Sequence, residues 1–348
     1  MTAPHLPQLQ RTASYLMKDE TILVTGGAGY IGSHTVRALA AQNRKVVVLD
    51  SLEYGHEQAV FEKGTSLVTG EVGDAELLES LFSEHKFSAV IHFAAYTSVG
   101  DSVREPLSYY ENNTAAPLVL LKAMQEHDCK VIVFSSTAAV YGEPEFMPLT
   151  EDHPKNPINP YGRSKWFTEQ ILRDCEPAWG LKSACLRYFN ASGSSSDGKI
   201  GEDHTPETHL IPLVLMAVTG ELEKITVFGN DYDTPDGTCI RDYIHVEDLA
   251  DAHTKALDSL LAGGDSLQLN LGTGSGYSVQ QIIDAAEEVT GQKVPVAIGE
   301  RRAGDPAQLV ANPARAEELI GWKAQHTNPK AMVASAWAWM SGPSKGRF

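Results

Sequence analysis

Residues 21–34 read TILVTGGAGYIGSH. The aliphatic and β-branched run 21–25 has the composition of a buried strand, and 30–41 continues as a helix. Between them Gly26, Gly29 and Gly32 stand three residues apart. A chain turning sharply from strand to helix needs glycine where the backbone bends and where a ligand approaches it. It needs a small residue again where the helix packs on the strand. The helix N-terminus then offers N–H donors and a positive dipole end, which suit a diphosphate. The spacing is G-x-x-G-x-x-G rather than G-x-G-x-x-G, and a glycine turn alone also serves plain structure. The next strand, 45–50 (KVVVLD), ends in Asp50, whose carboxylate can accept from both adenosine ribose hydroxyls and would repel a 2′-phosphate. Together these features predict a dinucleotide site that favours NAD over NADP.

Strands and helices keep alternating outward from this unit. Strands are expected at 66–69, 89–93, 130–135 and 183–188, and helices at 75–85 and 106–127. Unbroken β-branched runs suit strands covered on both faces, so the fold class is α/β with a doubly wound, parallel, Rossmann-like sheet. Prolines 144, 148, 154, 157 and 160 mark an irregular loop, after which a helix starts at Tyr161. The Ser- and Gly-rich run 192–198 suggests the main boundary. The division expected is an N-terminal extension at 1–20 with no assigned role, an NAD-binding domain at 21–191 and a smaller C-terminal α/β substrate lobe at 192–348. Within the last, 240–262 is expected to pack back on the first domain. Shorter elements follow at 224–228, 267–270, 279–290 and 331–340.

The chain has 348 residues, 42% of them hydrophobic, and a net charge of −17. Such a chain can bury a sizeable core and is a poor partner for nucleic acid or anionic membrane. No apolar run reaches transmembrane length, and residues 1–20 hold no signal-peptide core. Four cysteines, none in a C-x-x-C pair, read as reduced thiols of a cytoplasmic protein. The twelve histidines show no spacing such as H-E-x-x-H, so no metal site is expected.

Tyr161-Gly162-Arg163-Ser164-Lys165 sets a phenol and an ammonium four residues apart, on one face of a helix. A phenol titrates near pH ~10 and is a poor base at neutrality. A neighbouring Lys and a cationic nicotinamide both favour phenolate, so Tyr161 can take a hydroxyl proton while hydride leaves the same carbon. Ser135, Ser136 and Thr137 deliver hydroxyls at the carboxyl end of a strand, the edge where ligands bind in such sheets. Each of the three can equally cap backbone groups.

These motifs resemble the extended short-chain dehydrogenase/reductase superfamily, and within it the family of UDP-glucose 4-epimerases, over about residues 21–339. The resemblance rests on TGGAGYIGSH (25–34), VIHFAA (90–95), VGDSVREPLSYYENN (99–113), FSSTAAVYG (134–142), YGRSK (161–165), LRYFNASG (186–193), LNLGTG (269–274) and, most specifically, VFGNDYDTPDGTCIRDYIHVEDLA (227–250). It implies Tyr161 as base, Lys165 beside it and Thr137 as the assisting hydroxyl. It implies NAD contacts at Gly26, Gly29, Tyr30, Ile31, Gly32, Asp50, Glu71, Phe93, Ala94, Asn112, Lys165 and Tyr188. UDP-sugar contacts are implied at Asn190, Leu210, Phe228, Arg241, Arg302 and Asp305, with Leu309 gating the sugar pocket. Glu71 replaces the Asp that usually meets adenine, and Thr97 stands where a Lys often approaches the cofactor. Leu309 is smaller than the Tyr of strict glucose/galactose enzymes and larger than the small residue of N-acetyl-tolerant ones. Related 4,6-dehydratases carry an Asp-Glu pair directly after the catalytic Thr, and decarboxylases a Glu. Here Ala138 and Ala139 follow Thr137, and neither can move a proton.

The function implied is reversible 4-epimerisation of UDP-galactose and UDP-glucose through a 4-keto sugar, with hydride stored on tightly bound NAD. Other readings are an epimerase of UDP-N-acetylhexosamines or UDP-pentoses, an NAD-dependent sugar-nucleotide dehydrogenase or reductase, and a non-catalytic nucleotide sensor. Relatives dimerise through two helices, matching 105–127 and 161–176 here, so a homodimer is expected by analogy.

Overall fold

Side chains alternate between two buried faces. In Thr21–Thr25 (β1), Ile22 and Val24 join one core and Leu23 the other; in Lys45–Asp50 (β2), Val46 and Val48 oppose Val47 and Leu49. Strands apolar on both sides need cover on both sides. The computed structural model describes residues 20–302 and 305–343 and provides that cover. The N-terminal extension expected at 1–20 lies, apart from Glu20, outside the described residues.

The main sheet continues through Thr65–Thr69 (β3), Phe87–His92 (β4), Val131–Thr137 (β5), Lys182–Tyr188 (β6) and Leu267–Leu271 (β7). Its order is β7-β6-β5-β4-β1-β2-β3, and every pairing is parallel. Val24 pairs with Val48 on one side and Ile91 on the other. This is the doubly wound, Rossmann-like sheet expected from the sequence. The direction of winding reverses at β1, so a crevice opens beyond the carboxyl ends of β1 and β4.

The helices are α1 (Tyr30–Ala41), α2 (Ala75–Glu84), α3 (Val99–Arg104), α4 (Pro106–Tyr110), α5 (Ala116–Glu126) and α6 (Pro160–Trp179) in the first half. In the second half they are α7 (Leu210–Thr219), α8 (Val246–Leu261), α9 (Val279–Thr290), α10 (Ala314–Ile320) and α11 (Pro329–Met340). Val36 and Leu39 of α1 with Leu249, Ala252 and Leu257 of α8 cover one face of the sheet. Leu78 and Leu81 of α2, Leu120 and Met124 of α5 and Leu172 of α6 cover the other. A separate core holds Val214 and Leu215 of α7, Ile282 and Ile283 of α9, and Met332 and Val333 of α11, against the parallel pair Ile225–Phe228 and Val296–Gly299.

Two local features depart from the sequence reading. The helix expected over 106–127 is interrupted by a π-helical turn, Glu111–Ala115, between α4 and α5. The strand at 267–271 falls inside the range assigned to the smaller lobe, yet it is the edge strand of the main sheet. The reason is burial: Leu269 and Leu271 are fully buried and complete the core under α8. Ala316 of α10 and Trp322 join that core too. No helix among the described residues is long and apolar enough to cross a membrane.

Candidate active site

A cleft of about 850 Å³ opens at the reversal point of the sheet. Its floor is the glycine turn. Gly26 has φ +71°, the left-handed region that favours glycine, and a Cβ there would stand 2.5 Å from the Ala94 nitrogen. At Gly32 a Cβ would meet the Gly26 carbonyl oxygen at 2.1 Å, so this glycine lets α1 close on the turn. Gly29 is different: a Cβ would lie 3.4 Å from its nearest protein neighbour, an ordinary contact. Its bare backbone is needed on the cleft side, which it lines. Gly29 is also the N-cap of α1, which has no side-chain cap and no acid in its first turn. An anion at this end completes the helix, so the residues fit a dinucleotide diphosphate. Asp50 accepts from the backbone nitrogens of Ala28 and Leu52, each at 2.9 Å. Those bonds aim the carboxylate, and each oxygen keeps a lone pair for a ribose hydroxyl. Tyr30, Ile31, Glu71, Phe93, Ala94 and Tyr188 line the same cleft, as does Thr97. The π-helical turn explains Asn112, also on the lining. Its neighbour Asn113 is drawn inward to clamp the backbone of Tyr96, with bonds of 2.8 and 2.9 Å.

The three hydroxyls at the end of β5 part ways. Ser135 is hydrogen-bonded to the Tyr188 phenol, and Ser136 donates to Glu169 at 2.5 Å. Thr137 lines the cleft and is the hydroxyl that meets Tyr161. Helix α6 brings Tyr161 there. Asn159 caps it by accepting from the Gly162 nitrogen at 2.8 Å, and Pro160 occupies its first turn. A Cβ on Gly162 would stand 2.6 Å from the Ala139 carbonyl oxygen, so only glycine allows α6 this close to the end of β5. Burial pushes the Tyr161 phenol above its usual value, and the Thr137 hydrogen bond works the other way. One turn on, Lys165 is 2% exposed and donates to the Ser135 carbonyl oxygen at 2.9 Å. Burial lowers its ammonium to about 7. A phenolate and an ammonium in so dry a place each favour the other's charged form.

Behind this pair runs a buried polar network. Arg187 of β6 donates to both oxygens of Glu169 on α6, at 2.6 and 2.9 Å, and to the Tyr141 hydroxyl at 3.0 Å. Tyr141 donates to Asn270 of β7 at 2.5 Å, and the Asn270 nitrogen donates to Glu151 at 2.8 Å. Glu169 stands one turn beyond Lys165, and Ser136 directly before Thr137. The network therefore fixes the helix carrying the base against the strand carrying the hydroxyl. Sequence reasoning missed it because its members are far apart in the chain, and the motifs that hold Ser136, Tyr141, Arg187 and Asn270 do not show that these residues meet.

The far end of the cleft is lined by Asn190, Arg241, Arg302, Asp305 and Leu309. Arg241 is paired with Asp305 and donates to the Ile240 carbonyl oxygen at 2.7 Å. Leu309 rests on the small cluster of Val140, Tyr141 and Leu149. Two expected substrate contacts are not among the lining residues. Leu210 opens α7 and packs on the second core. Phe228 carries the Arg302 guanidinium 3.9 Å above its ring and so acts on the cleft through that residue. Ala138 and Ala139 line the cleft beside Thr137. So do Glu202, His204 and His209, none of which sequence reasoning singled out.

A family model described as the NAD dependent epimerase/dehydratase family matches residues 22–272. The chain is 50% identical over 318 residues to the UDP-glucose 4-epimerase of Halalkalibacterium halodurans, covering 91% of this chain and 95% of that protein. It superposes on the UDP-glucose 4-epimerase of Brucella ovis in complex with NAD with a TM-score of 0.89 at 46% identity, covering 91% and 97% of the two chains. The enzyme of that name from Bifidobacterium longum, in complex with NAD+ and UDP, matches with a TM-score of 0.88 at 42% identity, covering 93% and 99%.

Proposed function

The chain belongs to the NAD dependent epimerase/dehydratase family, and on that premise we propose that it interconverts UDP-glucose and UDP-galactose by inverting C4 on a retained NAD. The observation that carries this reading is the pairing of Tyr161 with Thr137 in a cleft where Ala138 and Ala139 follow. With a hydride acceptor bound, one base and one hydroxyl suffice to oxidise and re-reduce a carbinol. Dehydration needs a further acid and base at the positions held by the two alanines.

NAD, when bound over Gly26, Gly29 and Asp50, supplies a two-electron acceptor that can return what it takes. Tyr161 removes the proton of the 4-hydroxyl, with Thr137 holding that oxygen in line and Lys165 favouring the phenolate. Arg241 and Arg302 grip the diphosphate as fork donors while the 4-keto sugar turns over. Asp305 faces the uridine ribose once Arg241 has turned to phosphate. Tyr161 then gives its proton back at the inverted centre. The exposed apolar side chains of Val103 on α3, Leu107 on α4, Leu118 on α5 and Phe167 on α6 support a homodimer formed through these helices. Four free cysteines fit a reducing cytoplasm.

The test uses UDP-galactose deuterated at C4 and enzyme with no added cofactor. UDP-glucose that keeps its deuterium is the expected product. Loss of the label, or net NADH rising with product, sinks the reading. Leu309 favours a second, broader reading, because it fills less of the sugar end than a Tyr would. The Leu309→Tyr variant is expected to keep its activity on UDP-galactose and to lose at least tenfold on UDP-N-acetylgalactosamine, the scale of a clash in a packed pocket. Equal loss on both sugars removes Leu309 as the gate.

A further inference from the structure

The irregular stretch 199–209 (KIGEDHTPETH) carries four side chains that the reaction above leaves unused. Glu202, His204, Glu207 and His209 are spaced E-x-H-x-x-E-x-H, which matches no familiar helical ligand pattern. Residues 201–209 are neither helix nor strand, and the loop itself gathers the four. The His209 Nδ1 lies 2.7 Å from Glu202 Oε1 and 3.3 Å from Glu207 Oε1. The His204 Nδ1 lies 3.3 Å from Glu202 Oε1 and 3.9 Å from Glu207 Oε2. One donor atom from each of the four falls within 4.8 Å of all the others.

Distance alone also fits two imidazolium–carboxylate pairs. Burial opposes such charging at His209, although Glu202 and Glu207 raise it to about 10. The angles decide against that arrangement. Glu202 is 8% exposed, and its Oε1 makes no hydrogen bond of acceptable geometry; neither do the buried Nδ1 atoms of His204 and His209. Buried polar atoms are almost always satisfied. Here Glu202 Oε1 and the two Nδ1 atoms are close enough to pair and still make no hydrogen bond, while one donor atom of each of the four residues lies within 4.8 Å of the others. Tetrahedral zinc, with nitrogen and oxygen ligands at ~2.0–2.2 Å, separates neighbouring ligand atoms by about 3.3–3.6 Å. The four distances straddle that spacing. Two imidazoles and two carboxylates are a zinc donor set, and the two carboxylates balance a divalent charge.

We propose that Glu202, His204, Glu207 and His209 bind one divalent metal ion, tetrahedral zinc fitting best, that clasps the 202–209 loop over the cofactor cleft. Four protein ligands make a closed, structural site, with no open position for catalysis. The loop it pins lines the cleft through Glu202, His204 and His209. The His204 ring sits edge-on to Tyr30 in the first turn of α1, with centroids 6.3 Å apart. The loop backbone is held from behind, where the Trp339 indole donates to the Glu202 carbonyl oxygen at 3.0 Å. A second gathering of ligand types, His245, Glu247 and His326, is already committed. His245 is bonded to the Glu247 nitrogen and to Ser335, and His326 to Asp248. It serves as the control.

Tag-free holoenzyme is incubated with zinc sulfate, dialysed, and analysed by elemental mass spectrometry. Wild type and His326→Ala are expected to hold about one zinc per chain, and the double variant His204→Gln/His209→Gln under about a tenth. The Tm of wild type should rise by several degrees with zinc, and that of the double variant should not. Crystals of the wild type measured at the zinc edge should show an anomalous peak amid the four side chains, a readout that needs no variant to fold. Wild type that retains no zinc, or a peak absent from this cluster, overturns the proposal and leaves the histidines as ion-pair partners of the two glutamates.

Discussion

Lys165 sets the chemistry of the site against the stability of the fold. Its ammonium is buried at a cost, and burial brings its folded value to about 7, against an unfolded value near ~10.4. Between those limits the unfolded chain binds a proton that the folded chain lacks, so stability rises with pH from about 7 to about 10.4. Below that window the full penalty applies. Lys165→Met is therefore expected to stabilise the cofactor-free protein at pH 7 by about 1–3 kcal/mol, less than burial alone implies because the bond to Ser135 is lost. The same change should flatten the rise with pH in urea melts and lower turnover at least tenfold. A variant less stable than wild type at pH 7 would mean that the Ser135 bond outweighs the cost of burial. At this scale much was legible. Tyr161 with Lys165 four residues on, and Asp50 at a strand end, are local patterns that a helix or a strand converts directly into geometry. The choice of Thr137 over Ser135 and Ser136 came from the family resemblance and not from any local pattern. In the fold it depends on Tyr188 and Glu169, which reach the end of β5 from other elements.

Glycines and a buried ion pair govern how elements meet. Gly29→Ala leaves ordinary contacts on the protein side, while Gly32→Ala drives a Cβ into the Gly26 carbonyl. The first is expected to fold with a Tm within a few degrees of wild type and to copurify with much less NAD. The second should lose several kcal/mol, because α1 must move off the turn. Matching cofactor content in Gly29→Ala and wild type would show that the diphosphate does not approach Gly29. The Glu169–Arg187 pair makes a different demand. Glu169→Gln or Arg187→Met alone strands a buried charge or its partner and is expected to cost about 3–5 kcal/mol in chemical denaturation. The double change should cost clearly less than the sum of the two. Simple additivity would mean that the pair is not coupled. The unbroken β-branched strands and the start of α6 after the proline-rich loop could be read from sequence because their causes are local. The π-helical turn at Glu111–Ala115 could not, since it answers to the Tyr96 backbone that Asn113 clamps.

Across the whole molecule, Leu107 is 75% exposed and Val103 63% exposed, on short helices beside α6. Apolar side chains left this open need an explanation. Light scattering on the purified protein is expected to give twice the chain mass, and Val103→Glu with Leu107→Glu to give the single mass with unchanged circular dichroism. A wild type that already runs as a monomer would remove the homodimer from the reading. The parallel, doubly wound character of the sheet was legible through β6 because strands and helices alternate along that part of the chain. Strand β7 was not, because a long excursion through the second lobe separates it from β6. That placement also bears on how the protein is made. A ribosome delivers β6 well before β7, so a nascent chain holds an unpaired edge strand while the loop, α7 and α8 emerge. The sheet cannot be sealed until Leu267–Leu271 has left the exit tunnel, and its core is not complete until Trp322 arrives. Folding must be largely post-translational, and a transcript cut anywhere before that point yields a product with an open, aggregation-prone flank rather than a smaller working domain.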